Sequence, residues 1–126
     1  MIKVLLIFFI VVQGYTFMIE RSYTVAHIKA VKENKMLLVF LTKKECKYCN
    51  KELMKILQNK KLDKAIKNRA LFVIIIKNQK ESYPIEMLYS TRYPTLFLLD
   101  KYELSHCKAL RGEMNPKQIL DCLMKK

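Results

Sequence analysis

The sequence predicts an α/β fold: a central four-stranded mixed sheet with helices on both faces and a leading helix at its N-terminal end. Two apolar runs, residues 36–41 and 70–76, suit parallel strands that are buried on both faces. Helical patterns precede, separate and follow these runs, an alternation typical of right-handed parallel crossovers. A short turn at Asp100 joins two later strands into an antiparallel hairpin, which makes the predicted sheet mixed.

The length and composition favour one basic globular domain. The chain has 126 residues, of which 52% are hydrophobic, enough for a core without a structural metal. Its 24 Lys and Arg against 11 Asp and Glu give a net charge of +13. The lysines are scattered through predicted helices and loops, as on a solvated surface, so no nucleic-acid partner is predicted. Four cysteines are too few for a small disulfide-built scaffold.

Residues 1–16 have the layout of a secretory signal peptide. Lys3 gives a positive start, residues 4–12 form an unbroken apolar run, and polar residues then end it. This run is too short to span a bilayer, so we expect membrane association only through an uncleaved signal that acts as an anchor. Residues 17–126 are therefore predicted to form a single domain that is periplasmic or secreted, where disulfides persist.

The first predicted helix covers residues 22–34. Ser22 is a favourable N-cap, because its hydroxyl oxygen accepts a hydrogen bond from a free backbone N–H group. Val25, Ile28 and Val31 recur three residues apart and form an apolar stripe along one side of the helix.

The middle of the chain is predicted to be mostly helical. A helix is expected over residues 46–57, whose apolar positions follow i, i+4, i+7 and i+8 spacing. A further helical turn is expected around residues 62–66. Pro84 suits the first turn of a short helix over residues 84–89, since proline lacks the N–H that this position does not use.

The last third of the chain is predicted to form the hairpin and a final helix. The strands cover residues 95–99 and 103–110. Asn115 caps the helix, Pro116 takes its first position, and Gln118 stands three residues after the cap. The predicted order is therefore α-β-α-β-α-β-β-α.

The chemistry is predicted to lie in the Cys46-Lys47-Tyr48-Cys49 motif, between a buried strand and the start of a helix. A helix N-terminus favours negative charge, and the thiolate is the reactive form of cysteine. We expect Cys46, at the end of the loop, to be the exposed attacking residue. Cys49 falls on the apolar stripe one turn later and is expected to be the buried resolving residue. The pair therefore predicts a redox-active dithiol.

The charges around Cys46 favour its thiolate. Lys43, Lys44 and Lys47 surround this cysteine, and Glu45 opposes them. Lysine neighbours and a helix N-terminus lower the pKa of a thiol. We therefore assign Lys44, Glu45 and Lys47 as residues that modulate the pKa of Cys46.

The order of these features resembles the thioredoxin-like superfamily, in particular small secreted or periplasmic bacterial proteins with a Cys-x-x-Cys motif. The resemblance rests on that motif after a strand, on Tyr93-Pro94-Thr95 opening a hairpin, and on the terminal helix. It covers residues 22–123 and implies a thioredoxin-like fold for the single domain. It also implies that Pro94 is a cis-proline beside the active sulfurs. Tyr48, Tyr93, Pro94 and Thr95 would then bind the substrate.

Two positions depart from the family pattern. Glu45 stands where thioredoxins usually carry Trp before the first cysteine. Phe40 stands where they carry a buried acid six positions before that cysteine. The usual proton acceptor for the resolving thiol is therefore absent from its position.

The resemblance implies a thiol–disulfide oxidoreductase that acts on protein disulfides through a mixed disulfide, and we favour a reductase. No bound cofactor is expected, because a redox partner protein exchanges the electrons, and the chain is expected to be a monomer. The alternative is a copper(I)-handling protein that holds the ion through the Cys46 and Cys49 thiolates, which suit soft cations. Neither His27 nor His106 has a clear route to that site as a further ligand. A non-catalytic binding module is a third option.

Cys107 and Cys122 leave several interpretations open: a structural disulfide, two free buried thiols, or a second redox relay. Leu104 and Leu110 share one face of the predicted strand, which puts Cys107 on the other face unless a bulge intervenes.

For Cys46 and Cys49, the other interpretations are a purely structural bridge and a zinc half-site. A zinc site there would borrow His106 and Cys107, but adjacent residues of a strand point to opposite faces. No metal site is therefore predicted.

Overall fold

A computed structural model of the chain describes residues 17–77, 88 and 90–125. The predicted signal segment 1–16 lies outside the described residues, as does all but one residue of the predicted helix 84–89. None of the helices in the described part is long and apolar enough to cross a membrane. The elements, in chain order, are β1 (Ile19–Glu20), α1 (Tyr23–Glu33), β2 (Met36–Thr42), α2 (Lys47–Leu57), α3 (Lys60–Arg69), β3 (Ala70–Ile76), β4 (Thr95–Leu99), β5 (Ser105–Arg111) and α4 (Pro116–Met124).

The sheet is mixed, as predicted, and has the strand order β1-β3-β2-β4-β5. The pairs β1/β3 and β2/β3 are parallel, whereas β2/β4 and β4/β5 are antiparallel. The described sheet has five strands rather than the four expected. The additional strand β1 is only two residues long, and two residues are too few to show the alternation by which a strand is recognised in sequence.

Helices cover both faces of the sheet, as predicted, and therefore bury β2 on both sides. Leu38 and Phe40 belong to the core on one face, which α2, α3 and α4 cover. Leu37, Val39 and Leu41 belong to the core on the other face, which α1 covers. This alternation follows from the two-residue period of a strand and explains the continuous apolar run in the sequence.

The helix α1 packs on the sheet through a face that does not carry its apolar stripe. Val25, Ile28 and Val31 are 43%, 61% and 51% exposed, so this stripe faces outward. The side chains that α1 buries are Tyr23, Ala26 and Ala30. The small alanines let the helix backbone approach the sheet closely, whereas the apolar spacing alone does not distinguish this face from the valine stripe.

The C-terminal elements follow the sequence closely. The Asp100 carboxylate accepts hydrogen bonds from the backbone N–H groups of Tyr102 and Leu104, which fixes the turn between β4 and β5. The Asn115 side chain caps α4 by accepting from the N–H groups of Lys117 and Gln118.

The predicted helical turn around 62–66 is a complete helix, α3, in the structure.

Candidate active site

The junction of β2 and α2 places the Cys-x-x-Cys motif. β2 ends at Thr42, and Cys46 is the N-cap residue of α2. The Cys46 sulfur accepts a hydrogen bond from the Cys49 backbone N–H at 3.0 Å. Glu45 adopts the left-handed backbone conformation, with φ of 54°, immediately before the cap. The first cysteine therefore lies where free N–H groups and the helix dipole stabilise negative charge.

Cys46 and Cys49 are joined in a disulfide, with 5.2 Å between their Cα atoms. Cys46 is 9% exposed and Cys49 is fully buried. The predicted order of accessibility holds, but the expectation of an exposed Cys46 is too strong for this oxidised form. Only the Cys46 side of the bond has a path to solvent, so an incoming sulfur meets that side first.

The loop before β4 lies at the end of the sheet where β2 ends. Leu41 near the end of β2 is the register partner of Thr95, so Pro94 adjoins the strand end that leads to Cys46. The Tyr93–Pro94 peptide bond is cis and Pro94 is buried. Tyr93 retains partial exposure. The chain segments that the sequence assigned to substrate binding therefore meet at the edge that carries the disulfide.

Tyr48 and Thr95 have opposite environments, although the sequence assigned both to substrate binding. Tyr48 is 48% exposed on the first turn of α2. Thr95 is fully buried: its hydroxyl donates to the Arg92 carbonyl at 2.7 Å and hydrogen-bonds the Ser90 hydroxyl at 2.8 Å. The Thr95 hydroxyl is therefore committed to the loop before β4, and substrate binding by Thr95 stays a prediction.

Positive charge collects around the site. Lys44, Glu45 and Lys47 are exposed beside Cys46, as the sequence indicates. Lys43 and Lys77 lie over the Tyr93 ring, with their Nζ atoms 5.7 and 5.3 Å from its centroid. These cation–π contacts join three segments that are distant in sequence, so no spacing pattern points to them.

A buried carboxylate on α2 is the main site feature that the sequence reasoning missed. Phe40, at the position of the family's acid, is 1% exposed and stacks near Phe72 with ring centroids 6.2 Å apart. Glu52 is 1% exposed and lies one helical turn after Cys49. An acid at i+3 from the buried cysteine on an otherwise apolar face was the available signal.

Glu52 is held ionised by its partners. Burial alone raises the pKa of a carboxyl, but the N–H of Met114 and the ammonium of Lys55 donate to Glu52 Oε1 at 2.7 and 3.0 Å. These hydrogen bonds, with the charges of Lys55 and Lys51, outweigh burial and hold the pKa of Glu52 below its usual range. The same bond raises the pKa of Lys55.

The loop between β5 and α4 connects the two halves of the site. Gly112 donates its backbone N–H to the Pro94 carbonyl at 2.7 Å. Two residues later, the Met114 N–H donates to the Glu52 carboxylate. Gly112 has φ of 85°, in the left-handed region that favours glycine. This short loop therefore fixes the cis-proline segment relative to the helix that carries the cysteines.

The second cysteine pair is also bridged. Cys107 on β5 and Cys122 on α4 form a disulfide, with their Cα atoms 6.2 Å apart. The strand-parity argument against it fails because β5 has two register shifts against β4, between Leu96 and Leu98 and between Leu98 and Leu99. Each shift inserts one extra residue in β5 and so changes which face the next side chain takes.

The same shifts change the surroundings of His106. One donor atom each from His106, Cys107 and Cys122 lies within 4.8 Å of the others. The expectation that His106 and Cys107 point to opposite faces is therefore wrong, because the strand is irregular at this place.

The sequence profile of a thioredoxin-like domain matches residues 23–126. No curated protein sequence matches the chain significantly. Among solved structures, a thioredoxin from Thermus thermophilus is similar with a TM-score of 0.69 and 17% identity, over 88% of this chain and 86% of that one. A DsbH oxidoreductase is similar with a TM-score of 0.70 and 17% identity, over 88% and 87%. Thioredoxin O2 from Arabidopsis thaliana, in its oxidised state, has a TM-score of 0.61 and 16% identity, over 87% and 93%.

Proposed function

The chain belongs to the thioredoxin-like domain family, and we propose that it is a thiol–disulfide oxidoreductase whose working pair is Cys46 and Cys49. The observation that carries this proposal is their disulfide at the N-terminus of α2, at the sheet edge that the Tyr93–Pro94 segment adjoins. A helix N-terminus stabilises the thiolate that forms when the bond is reduced.

The proposed reaction transfers two electrons through a mixed disulfide. The Cys46 thiolate attacks one sulfur of a substrate disulfide, and the other substrate sulfur leaves as a thiolate that takes a proton from water. Cys49 then gives its proton to water and its thiolate attacks the Cys46 sulfur; the second substrate thiolate leaves and takes up a proton, and the Cys46–Cys49 bond forms again. A dithiol partner protein reduces this bond for the next cycle, so no bound cofactor is required.

We place the protein as a reductase of protein disulfides. Its resemblance to small secreted thioredoxin-like proteins supports this direction. The accessible Cys46 side of the bond and the exposed Tyr48 suit a protein chain laid across the edge of the site. The backbone of Tyr93 would pair with that chain.

We further propose that the protein works as a monomer in the periplasm or outside the cell. The signal-like pattern of residues 1–16 supports export. The second disulfide, between Cys107 and Cys122, supports it independently, because such bonds persist in oxidising compartments.

Copper(I) handling at Cys46 and Cys49 receives no support from the described histidines. His27 and His106 hydrogen-bond the carbonyl groups of Lys101 and Lys125, which lie at the end of the sheet where β2 begins. Cys46 follows the opposite end of β2, a strand roughly 20 Å long. Neither ring is placed to complete a copper site with these two thiols.

The test is the redox equilibrium of the purified protein with a series of glutathione ratios, read by thiol alkylation and mass. A Cys107→Ser/Cys122→Ser variant is measured in parallel, so that the signal belongs to Cys46–Cys49 alone. A potential near that of thioredoxin, about −270 mV, supports the reductase, whereas one near about −120 mV assigns the protein as an oxidant. A pair that does not exchange with glutathione at all overturns the oxidoreductase.

A further inference from the structure

The second disulfide lies against an imidazole, and we propose that its reduction creates a zinc site. The ligands are the thiolates of Cys107 and Cys122 and the ring of His106, whose donor atoms already lie within 4.8 Å of one another. Tetrahedral zinc holds sulfur at about 2.3 Å and nitrogen at about 2.0 Å, so its ligand atoms lie roughly 3.5 Å apart. The two sulfurs reach this separation once the bond between them opens.

The orientation of His106 suits a ligand. Its Nε2 atom is 3.1 Å from the Lys125 carbonyl oxygen, which only accepts hydrogen bonds. In the neutral ring Nε2 therefore carries the proton, and Nδ1 keeps the lone pair that binds a metal. Zinc-binding histidines commonly donate their other N–H to a carbonyl in this way, which fixes the ring.

The backbone brings the three ligands together before any metal binds. The register shifts in β5 turn His106 and Cys107 toward α4, and Cys122 projects from α4 at the contact. Two of the ligands come from one strand and the third comes from a helix, as in a compact three-ligand site. Because the elements are part of the folded domain, the ordering of these side chains costs little when the ion binds.

A cleft gives solvent access to the two cysteine ligands, whereas His106 lies outside its lining. It has a volume of about 370 Å³ and runs beside both cysteines, with Leu110 and Gln118 in its lining. A site with three protein ligands and room for water is the arrangement of open zinc sites. Asp121 also lines the cleft, and its carboxylate favours a cation.

The lysines of the cleft are compatible with this site. Lys108 and Lys125 line it and stabilise the two thiolates in the reduced protein. Zinc with two thiolates and one neutral imidazole carries no net charge, so the bound ion adds no repulsion. The lysines therefore favour the reduced, metal-ready state without opposing the occupied one.

Reduction of the Cys107–Cys122 bond precedes zinc binding. A dithiol reductant transfers two electrons to the Cys107–Cys122 bond, is itself oxidised to a disulfide, and leaves two thiols on the protein. Zn²⁺ then displaces the two thiol protons to the solvent and binds both sulfurs. In the reverse direction, a disulfide oxidant takes two electrons from the two bound thiolates and is itself reduced to two thiols; the Cys107–Cys122 bond forms again and Zn²⁺ is released. Zinc occupancy therefore reports the redox state of this pair.

The test uses the full chain with Cys46→Ser and Cys49→Ser, which removes the other dithiol. The protein is reduced, freed of reductant without oxygen, and titrated with Zn²⁺ against a chromophoric chelator. We expect one ion per chain after reduction and none before it. His106→Ala is expected to lower the affinity by tenfold or more, since even outer-shell losses cost about that much. The matched control His27→Ala, at the chain's other histidine, should leave the affinity unchanged.

Cobalt provides a second readout that does not depend on the serine background. The reduced wild-type chain with added Co²⁺ should show thiolate charge-transfer absorbance. The absorbance that is lost in the His106→Ala variant belongs to this site. Absence of zinc binding in the reduced serine variant, provided that it retains a native circular dichroism spectrum, overturns the proposal. Binding that His106→Ala leaves unchanged overturns it as well.

Discussion

The two disulfides of this chain are the same bond in two different settings. Cys46–Cys49 spans three residues at the start of a helix, of which Cys46 is the N-cap. Cys107–Cys122 spans 15 residues and joins an irregular strand to the last helix. The first bond therefore constrains the chain little and is placed for exchange, whereas the second closes a loop.

The surroundings of the two bonds differ in the same way. At the first, the Cys49 N–H already donates to the Cys46 sulfur, so the reduced state has a stabilising donor in place. At the second, the bond itself holds β5 against α4, beside His106. We expect the Cys46–Cys49 pair to carry the catalytic thiol–disulfide exchange, and the Cys107–Cys122 bond to stabilise the domain as long as it is oxidised.

The largest expected effect is on activity. Cys46→Ser should abolish disulfide reduction, because Cys49, the remaining cysteine of the pair, is fully buried and cannot reach a substrate disulfide. Cys49→Ser should instead trap that intermediate, since the resolving thiol is gone. Insulin reduction with a chemical dithiol measures the first variant, and non-reducing electrophoresis with substrate detects the second.

Cys107→Ser/Cys122→Ser is the matched variant for this experiment, and it should keep most of the activity. Loss of turnover in that variant, with the fold intact, would show that the second pair takes part in electron transfer and would remove the division of roles proposed above.

The next effect is on stability and should fall on the other pair. Closing a 15-residue loop stabilises a domain by about 3 kcal/mol in the chain-entropy treatment, and the three-residue loop of Cys46–Cys49 by roughly half as much. Urea unfolding of the two double Cys→Ser variants measures both values. If the Cys46/Cys49 variant loses more stability than the Cys107/Cys122 variant, the assignment of roles is reversed.

Glu52 gives an intermediate effect that links the active pair to the C-terminal loop. Glu52→Ala leaves the buried Met114 N–H without an acceptor and should cost about 1–3 kcal/mol, whereas Glu52→Gln keeps an oxygen there and should cost less. Urea unfolding at neutral pH measures both variants, and an equal loss in the two would show that the hydrogen bond is not the cause.

The effect of Glu52 should also depend on pH. Its pKa is lower in the folded protein than its ordinary value of 4.5. Its stabilisation is therefore complete above pH 4.5 and disappears as the pH falls through the folded pKa. The free energies of unfolding of wild type and Glu52→Gln are measured between pH 7 and pH 3. The difference between the two proteins should become smaller only at the acid end of this range. A difference that grows in acid would contradict the ionised state.

Most of the fold was accessible from sequence because its signals are local. The runs that become β2 and β3, the Asn115 cap and the Cys-x-x-Cys position all depend on residues close along the chain. The spacing of Val25, Ile28 and Val31 predicts the helix but not its packed face, because these three residues are exposed in the structure. The face of α1 that packs on the sheet is instead the one with small side chains, such as Ala26.

The parts of the site that sequence reasoning missed depend on contacts between distant segments. Glu52 meets Met114 across 62 positions, and Lys43 and Lys77 meet at the Tyr93 ring. The pairing of Cys107 depends on two register shifts, and no residue type in β5 predicts them. Such features follow from tertiary structure and become visible only once the strands are aligned.

The smallest expected effect comes from the exposed charges beside the active pair. Lys44→Gln/Lys47→Gln should slow alkylation of reduced Cys46 below neutral pH by only about two- to threefold, because solvent-exposed charges contribute less than about 1 kcal/mol. The helix N-terminus, which the variant keeps, should account for most of the thiolate stabilisation. Stopped-flow alkylation at low and high salt measures the effect, with Lys61→Gln on α3 as the control. A larger loss that salt abolishes would place the lysines, rather than the helix, as the main cause of Cys46 reactivity.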